Sequence, residues 1–393
     1  MRDYLLDDDH RRLRDELRDF IARELSTRAE RIESHSDWSA LRDSFTAAGR
    51  AGHLAYLLPG DDAGPVSLVK ATMFAEEAAA VSYAFEATVG SSLSCAVPLR
   101  RHATADVRSR WLSPLSSGDA VGAICITEPG VGSDSAGMTT RVVVDEASGE
   151  VVIDGFKRFI SNAGVADVYI VYGISDPAVA AQRGMTAVVV PADAPGLSVP
   201  RQYTLIGRRG CVVGEVALDG VRVETNHLLG RPGDGFQIMV GMFNLERILL
   251  GGAGLGVARA AFDVAREHAV RRESFGQPLG AKQLIWGRLA ELSWRIDAAE
   301  LLTYRAARLY DDGCDPKALM REAAMAKLVA TETAVACSDA CVQILGGEGL
   351  VAEFSRAEQL YRDARAMPIV GGTSEMAKYV IASRDMPDLR LSL

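Results

Sequence analysis

Glu246 stands in the run Asn244-Leu245-Glu246-Arg247-Ile248, and on a helix its neighbours three and four residues away are Met242, Phe243, Leu249 and Leu250. A carboxylate is thereby set on an apolar stripe. Two readings are open: a surface ion pair with Arg247, or a buried carboxyl whose pKa rises toward that of a general base. The run Ile126-Thr127-Glu128-Pro129-Gly130-Val131-Gly132-Ser133-Asp134 is a glycine-rich turn. It is either plain surface or a set of N–H groups and hydroxyls able to bind a planar heterocycle or a carbonyl. Arg272, at an expected helix end, reads by itself as a solvated arginine.

These residues must be positioned by three blocks of elements. From Asp9 to about Pro114 apolar residues recur at helical spacing, with Leu13, Leu17, Phe20 and Ile21 on one face and further runs at Ser67 to Val81 and Ala84 to Arg101. A loop is expected at residues 60–65, where Gly, Asp and Pro cluster. Between about Val121 and Leu229 the period becomes two, in short β-branched runs such as Val142-Val143-Val144 and Tyr169-Ile170-Val171-Tyr172. From Gly235 onward the chain reads as long helices. Helix, strand, helix in blocks predicts an α+β fold with domains at 1–120, 121–231 and 232–393, and disfavours alternating βαβ units. The run Gly252-Ala253-Gly254-Leu255-Gly256 then belongs to a helix, where small residues allow close packing.

Composition excludes several classes. A chain of 393 residues, 48% of them hydrophobic, can bury a large core, and a net charge of -9 argues against nucleic acid as a partner. The charged N-terminus has no signal-peptide core and no uninterrupted apolar run is long enough to span a membrane, so a cytoplasmic protein is expected. Cys337 and Cys341 share helical spacing but have no histidine nearby, and the six histidines show no ligand spacing; neither disulfides nor a metal site is expected.

The segments Ala326-Lys327-Leu328-Val329, Gln343-Ile344-Leu345-Gly346-Gly347, Tyr361-Arg362-Asp363-Ala364 and Pro368-Ile369-Val370-Gly371-Gly372-Thr373-Ser374-Glu375 resemble the C-terminal signature of acyl-CoA dehydrogenases. The resemblance is good from about Val121 to Ala382 and looser before it; at residues 57–60 the chain lacks the family's Gly-Gly loop. It implies an N-terminal helical domain, a small β-barrel-like middle domain and a C-terminal four-helix bundle. In most members the position of Gly371 holds the glutamate that removes the substrate's α-proton. A minority, typified by isovaleryl-CoA and long-chain enzymes, carry it where this chain has Glu246. The resemblance thus implies Glu246 as the base, with Gly371 keeping a backbone N–H that polarises the thioester carbonyl.

FAD is the cofactor so implied. Thr127, Ser133, Phe159 and Ser161 match the segments around the isoalloxazine, with Phe159 and Ser161 standing where tryptophan and threonine are commoner. Arg272, Phe275 and Gln283 match elements that reach the pyrophosphate and adenine of a neighbouring subunit, Gln343, Gly346 and Gly347 complete that site, and Thr373 and Glu375 lie near it. A homotetramer follows. Ser133, Asn244, Arg247 and Val370 match substrate-side positions, and Val370 and Glu348 replace common aromatics. The substrate implied is an acyl-CoA or an acyl-carrier protein, and the acceptor an electron-transfer flavoprotein or similar. A same-fold flavin oxidase or monooxygenase, and a non-catalytic member without flavin, are the alternatives.

Overall fold

The computed structural model describes residues 7–33, 38–58 and 66–389; the loop expected at 60–65, Pro59 and His35 lie outside them. Six helices come first: α1 (Asp8–Glu24), α2 (Ala29–Glu33), α3 (Trp38–Arg50), α4 (Leu68–Val81), α5 (Tyr83–His102) and α6 (Ala105–Ser117). Serine hydroxyls fix two of the starts, Ser67 accepting from the Lys70 N–H and Ser82 from the Phe85 N–H. The α5 helix is buried from Tyr83 to Val89 and again from Ser92 to Leu99, so it is a core helix rather than an amphipathic one. Glu86 lies inside that buried stretch.

The middle block holds β1 (Gly122–Cys125), β2 (Arg141–Asp145), β3 (Glu150–Ser161), β4 (Val168–Ile174), the single turn α7 (Ala181–Gly184), β5 (Met185–Pro191), β6 (Leu197–Ser198), β7 (Val213–Glu224) and β8 (Leu228–Leu229). They form one sheet in the order β6-β7-β3-β2-β4-β5-β8, with β1 parallel to β4. Alternate residues of β4 enter different cores: Val168, Ile170 and Tyr172 pack with the helices, Tyr169 and Val171 with Val142, Val151 and Val216. A strand buried on both faces loses the apolar–polar alternation, which is why this run reads as continuously hydrophobic. The pairing of β3 with β7 slips between Lys157 and Ile160, and that bulge re-aims the strand end toward the helices.

The last block contains α8 (Gly235–Arg271), the hairpin β9 (Glu273–Ser274) and β10 (Gln277–Pro278), α9 (Gln283–Asp311), α10 (Pro316–Leu345), α11 (Ala357–Ala366) and α12 (Ser374–Asp385). The long helices α8, α9 and α10 pack on one another, α11 and α12 lie on α10, and α4 from the first block lies on α8. The glycine run in α8 is the seam of that packing. A Cβ at Gly252 would lie 2.6 Å from the Thr72 carbonyl oxygen, and one at Gly254 3.0 Å from the Ala330 carbonyl. The reading of the sequence did not anticipate that α8 and the segment Pro316–Leu350 are long and apolar enough to cross a bilayer by length and composition. Most of the apolar window in each is buried inside the protein, as in core helices.

Candidate active site

On α8, Glu246 is flanked by buried Met242, Leu245, Leu249 and Leu250 and keeps only part of its surface. It forms no ion pair with Arg247 among the described residues; the Arg247 guanidinium instead lies over the Phe243 ring at 5.7 Å. The surface-pair reading is therefore excluded. Desolvation pushes the Glu246 carboxyl pKa up, against the opposing pull of Arg247, Lys327 and Arg208.

Gly371, in the turn between α11 and α12, faces this carboxyl. Its φ of 65° is in the left-handed region, and a Cβ there would run into Leu250 Cδ1 and stop 3.6 Å from Glu246 Oε1. The turn is held by Lys327 of α10, whose buried ammonium donates to the carbonyls of Pro368 at 2.9 Å and Gly372 at 2.8 Å. Burial, with Arg247 nearby, lowers the Lys327 pKa to about 8. Within the turn Ile369, Val370 and Ser374 spend their N–H groups on carbonyls, whereas the Gly371 N–H makes no hydrogen bond among the described residues. Val370 is half-buried beside it, Thr373 caps α12 by accepting from the Met376 N–H, and Glu375 is exposed.

The β domain supplies the opposite wall. The Thr127 carbonyl accepts from the Arg158 N–H at 2.8 Å, joining the glycine-rich turn to the end of β3. Beneath them Lys157 donates to Glu128 at 2.8 Å and to the Ile126 carbonyl at 3.2 Å, and Thr139 and Thr140 also donate to Glu128. Burial would raise the Glu128 pKa, but Lys157 and the threonines outweigh it and hold it down at about 2. The bulge leaves Phe159 at a φ of 57°, the residue 58% exposed and its ring tilted on Tyr203 at 5.3 Å. A bulky residue in that conformation is strained, and such strain gathers at ligand sites. Ser161 Oγ accepts from Arg208 Nη2 at 3.0 Å, and Ser133 is exposed at the rim.

Arg208, also left-handed at a φ of 46°, was missed by reading the sequence, as were Glu86 and the Glu128–Lys157 pair. Arg208 is anchored where its N–H donates to the carboxylate of Asp363 on α11, which is buried and pushed up to about 7. Its charge acts on Tyr83 and Glu86 of α5 and on Glu246 of α8. The available signal for Glu86 was a lone carboxylate inside an apolar helical run. Asn244 is buried with its Oδ1 lacking a partner among the described residues. One turn before Glu246, Gly241 and Met242 line a cavity of about 290 Å³ between α8 and the Val97–Pro98 turn of α5.

The remaining expected residues lie elsewhere. Arg272 ends α8, 26 residues from Glu246 and so about 39 Å along the axis. Phe275 is 96% exposed at the tip of the β9–β10 hairpin, with Gln283 exposed just beyond. Gln343, Gly346 and Gly347 are exposed at the end of α10, and His268 of α8 approaches Glu348 there at 3.6 Å. Within one chain there are thus two clusters at opposite ends of α8.

Comparison with known proteins agrees with this architecture. Three models of acyl-CoA dehydrogenase domains match, the N-terminal domain at residues 7–119, the middle domain at 123–221 and the C-terminal domain at 233–386. The short-chain specific acyl-CoA dehydrogenase of Bos taurus is 33% identical over 98% of this chain and 92% of its own. The probable acyl-CoA dehydrogenase YngJ of Bacillus subtilis is 32% identical over 94% and 96%. Butyryl-CoA dehydrogenase from Megasphaera elsdenii superposes with a TM-score of 0.90 at 27% identity, covering 98% of this chain and 100% of that one. The chain belongs to the acyl-CoA dehydrogenase family. It is an FAD-dependent oxidoreductase acting on CH–CH bonds.

The residues present fit FAD. The exposed, left-handed Phe159 offers a ring face that no other side chain covers fully, and the joined Thr127 and Arg158 backbones flank it. The Arg208-bound Ser161 hydroxyl lies at the same strand end. Lys157 and Glu128 make that wall rigid.

Proposed function

We propose that this protein dehydrogenates an acyl thioester between its α and β carbons, with Glu246 taking the α-proton. The observation that carries the reading is that a side chain on Gly371 would begin 3.6 Å from Glu246 Oε1, beside Leu250. A base mounted on either backbone position therefore serves one point in space. A raised pKa makes Glu246 a stronger proton acceptor than an exposed carboxylate. Arg247, Lys327 and Arg208 keep its anionic form accessible. The Gly371 N–H is free to donate to the thioester oxygen as charge develops there, and Lys327 holds that N–H in place. FAD supplies the acceptor for the β-hydride; Thr127, Phe159, Ser161 and Ser133 would flank its ring.

The acyl group lies between α5 and α8, toward the cavity at Gly241 and Met242, with Val370 beside the reacting carbons and Asn244 and Arg247 on the thioester side. The cleft is the meeting point of domains at 1–120, 121–231 and 232–393. Arg272, Phe275, Gln283, Gln343, Gly346 and Gly347 reach the FAD of a second subunit, since one chain holds them at the far end of α8. Exposed Phe275, Leu284, Trp286 and Trp294 supply apolar surface for that contact, in keeping with a homotetramer. The thioester is carried on coenzyme A or a carrier protein, electrons pass to an electron-transfer flavoprotein, and the protein works in the cytoplasm.

The test is anaerobic titration of the FAD-loaded protein with a panel of acyl thioesters, following flavin absorbance. Bleaching by at least one thioester in the wild type, and none in Glu246→Gln with FAD retained, is expected. Bleaching of Glu246→Gln at the wild-type rate would remove Glu246 from the role.

A further inference from the structure

The acyl side of the cleft contains a carboxyl that α-proton removal does not use. Glu86 lies on α5, 3% exposed, and its Oε2 has no hydrogen-bond partner among the described residues. The Arg208 guanidinium and the Glu246 carboxyl are both close enough to act on its charge. One turn further along α5, Gly90 keeps that side open: a Cβ there would sit 3.3 Å from Glu86 Oε1. Across the seam, a Cβ on Gly241 of α8 would meet nothing within 4 Å. Gly241 itself lines the cavity, whose other walls are apolar at Val97, Pro98, Ile238 and Met242 and polar at Arg101, His102, Asp234 and Gln237, and Gly90 stands two turns before Val97 on α5.

Resting on the reading that Glu246 serves an acyl thioester, we propose that Glu86 is a substrate-recognition residue whose carboxyl hydrogen-bonds a hydroxyl or amino group on the first carbons of the acyl chain. A plain alkyl chain beside Glu86 would leave its Oε2 without a partner. Sites built around a buried polar group discriminate strongly against ligands that cannot pair with it. An acyl chain with its own donor supplies what the protein leaves out. Burial lifts the Glu86 pKa to about 8 even with Arg208 beside it. Near neutrality the group is therefore protonated, able both to donate to and to accept from a hydroxyl and to accept from an ammonium through its carbonyl oxygen.

The experiment uses the FAD-loaded protein with pantetheine thioesters, so that the acyl part is read independently of the carrier: butanoyl, 3-hydroxybutanoyl, 4-hydroxybutanoyl, 2-aminobutanoyl and 4-aminobutanoyl. Dissociation constants come from calorimetry and reduction rates from anaerobic stopped flow. The expected result is that the wild type prefers at least one donor-bearing thioester over butanoyl by about tenfold to a thousandfold. Glu86→Leu should erase or invert that preference. Glu86→Gln, the milder change, should keep the preference for hydroxyl groups. Equal binding of butanoyl and the best donor-bearing thioester in the wild type, or a preference that survives Glu86→Leu, overturns the assignment. Failure of every thioester to reduce wild-type flavin would count against the dehydrogenase reading instead, while the calorimetric preferences would still decide the role of Glu86.

Discussion

Two buried carboxyl sites in this protein have opposite fates. In the β domain, Glu128 accepts from Lys157 at 2.8 Å and from the N–H groups of Thr139 and Thr140 at 2.7 and 2.9 Å, and its pKa is held at about 2. Between α5 and α8, Glu246 and Glu86 have cations nearby but no comparable set of donors, and both are pushed up. Burial acts the same way on all three; the donors decide the outcome. A carboxylate whose lone pairs are all met by protein is a staple, and one left short of partners is available to something that enters the cleft.

The largest expected effect tests the unsatisfied side. Glu246→Gln should lower the rate of flavin reduction by a known substrate about a hundredfold to ten-thousandfold, as for loss of a general base, with FAD content and unfolding midpoint near wild type. A collapse of FAD binding or stability in this variant would place Glu246 with Glu128 among the staples and erase the contrast. Lys157→Met tests the satisfied side. Removing one partner of a buried pair leaves an uncompensated charge and costs about 3–5 kcal/mol, read by denaturant unfolding of the FAD-loaded protein. A loss below about 1 kcal/mol would show that Glu128 rests on its threonines alone.

How much of this was legible follows the same division. The block order, the helix positions of α4 and α5 to within a residue or two, and the packing role of the glycines in α8 could be read because each depends on residues close in sequence. Glu246 could be singled out because its apolar neighbours lie within one turn. Glu86 and Arg208 could not be joined: they are far apart in the chain, one inside a core helix and the other in a loop whose left-handed backbone depends on Asp363. Nor does a strand that alternates inward and outward reveal that Lys157 points at Glu128, since the bulge that aims β3 is a tertiary feature. The position of Arg272 at the far end of α8 was equally hidden, because helix length became certain only with the fold.

An intermediate effect comes from moving the base. In Glu246→Gly with Gly371→Glu, the new side chain starts from the position that faces the vacated carboxyl, but Leu250 Cδ1 obstructs it and the backbone is left-handed. The strain of such a conformation is of order 1–3 kcal/mol. Partial return is expected, about tenfold to a hundredfold below wild type, and Leu250→Val in the same background should improve it. No flavin reduction in the triple variant, with FAD bound, would mean that the two positions do not serve a common point.

The smallest effect is thermodynamic and concerns Glu86. An unfolded glutamate titrates near 4.5, whereas in the fold Glu86 titrates at about 8, lifted by burial against the pull of Arg208 and with the added repulsion of Glu246. Between those values the folded protein keeps a proton that the unfolded chain releases. The stability tied to that proton is complete below about 4.5 and is lost progressively as the pH rises toward about 8. Glutamine imitates the protonated acid at every pH, so Glu86→Gln should escape the loss. Its melting temperature relative to wild type should climb between pH 5 and pH 8 by on the order of a degree or two per pH unit and level off above that. The other titrating groups at the cleft, Glu246 and Lys327 among them, are common to both proteins and largely cancel in the difference. A flat difference would show that Glu86 is ionised and paired with Arg208 in the resting protein, a staple like Glu128 after all.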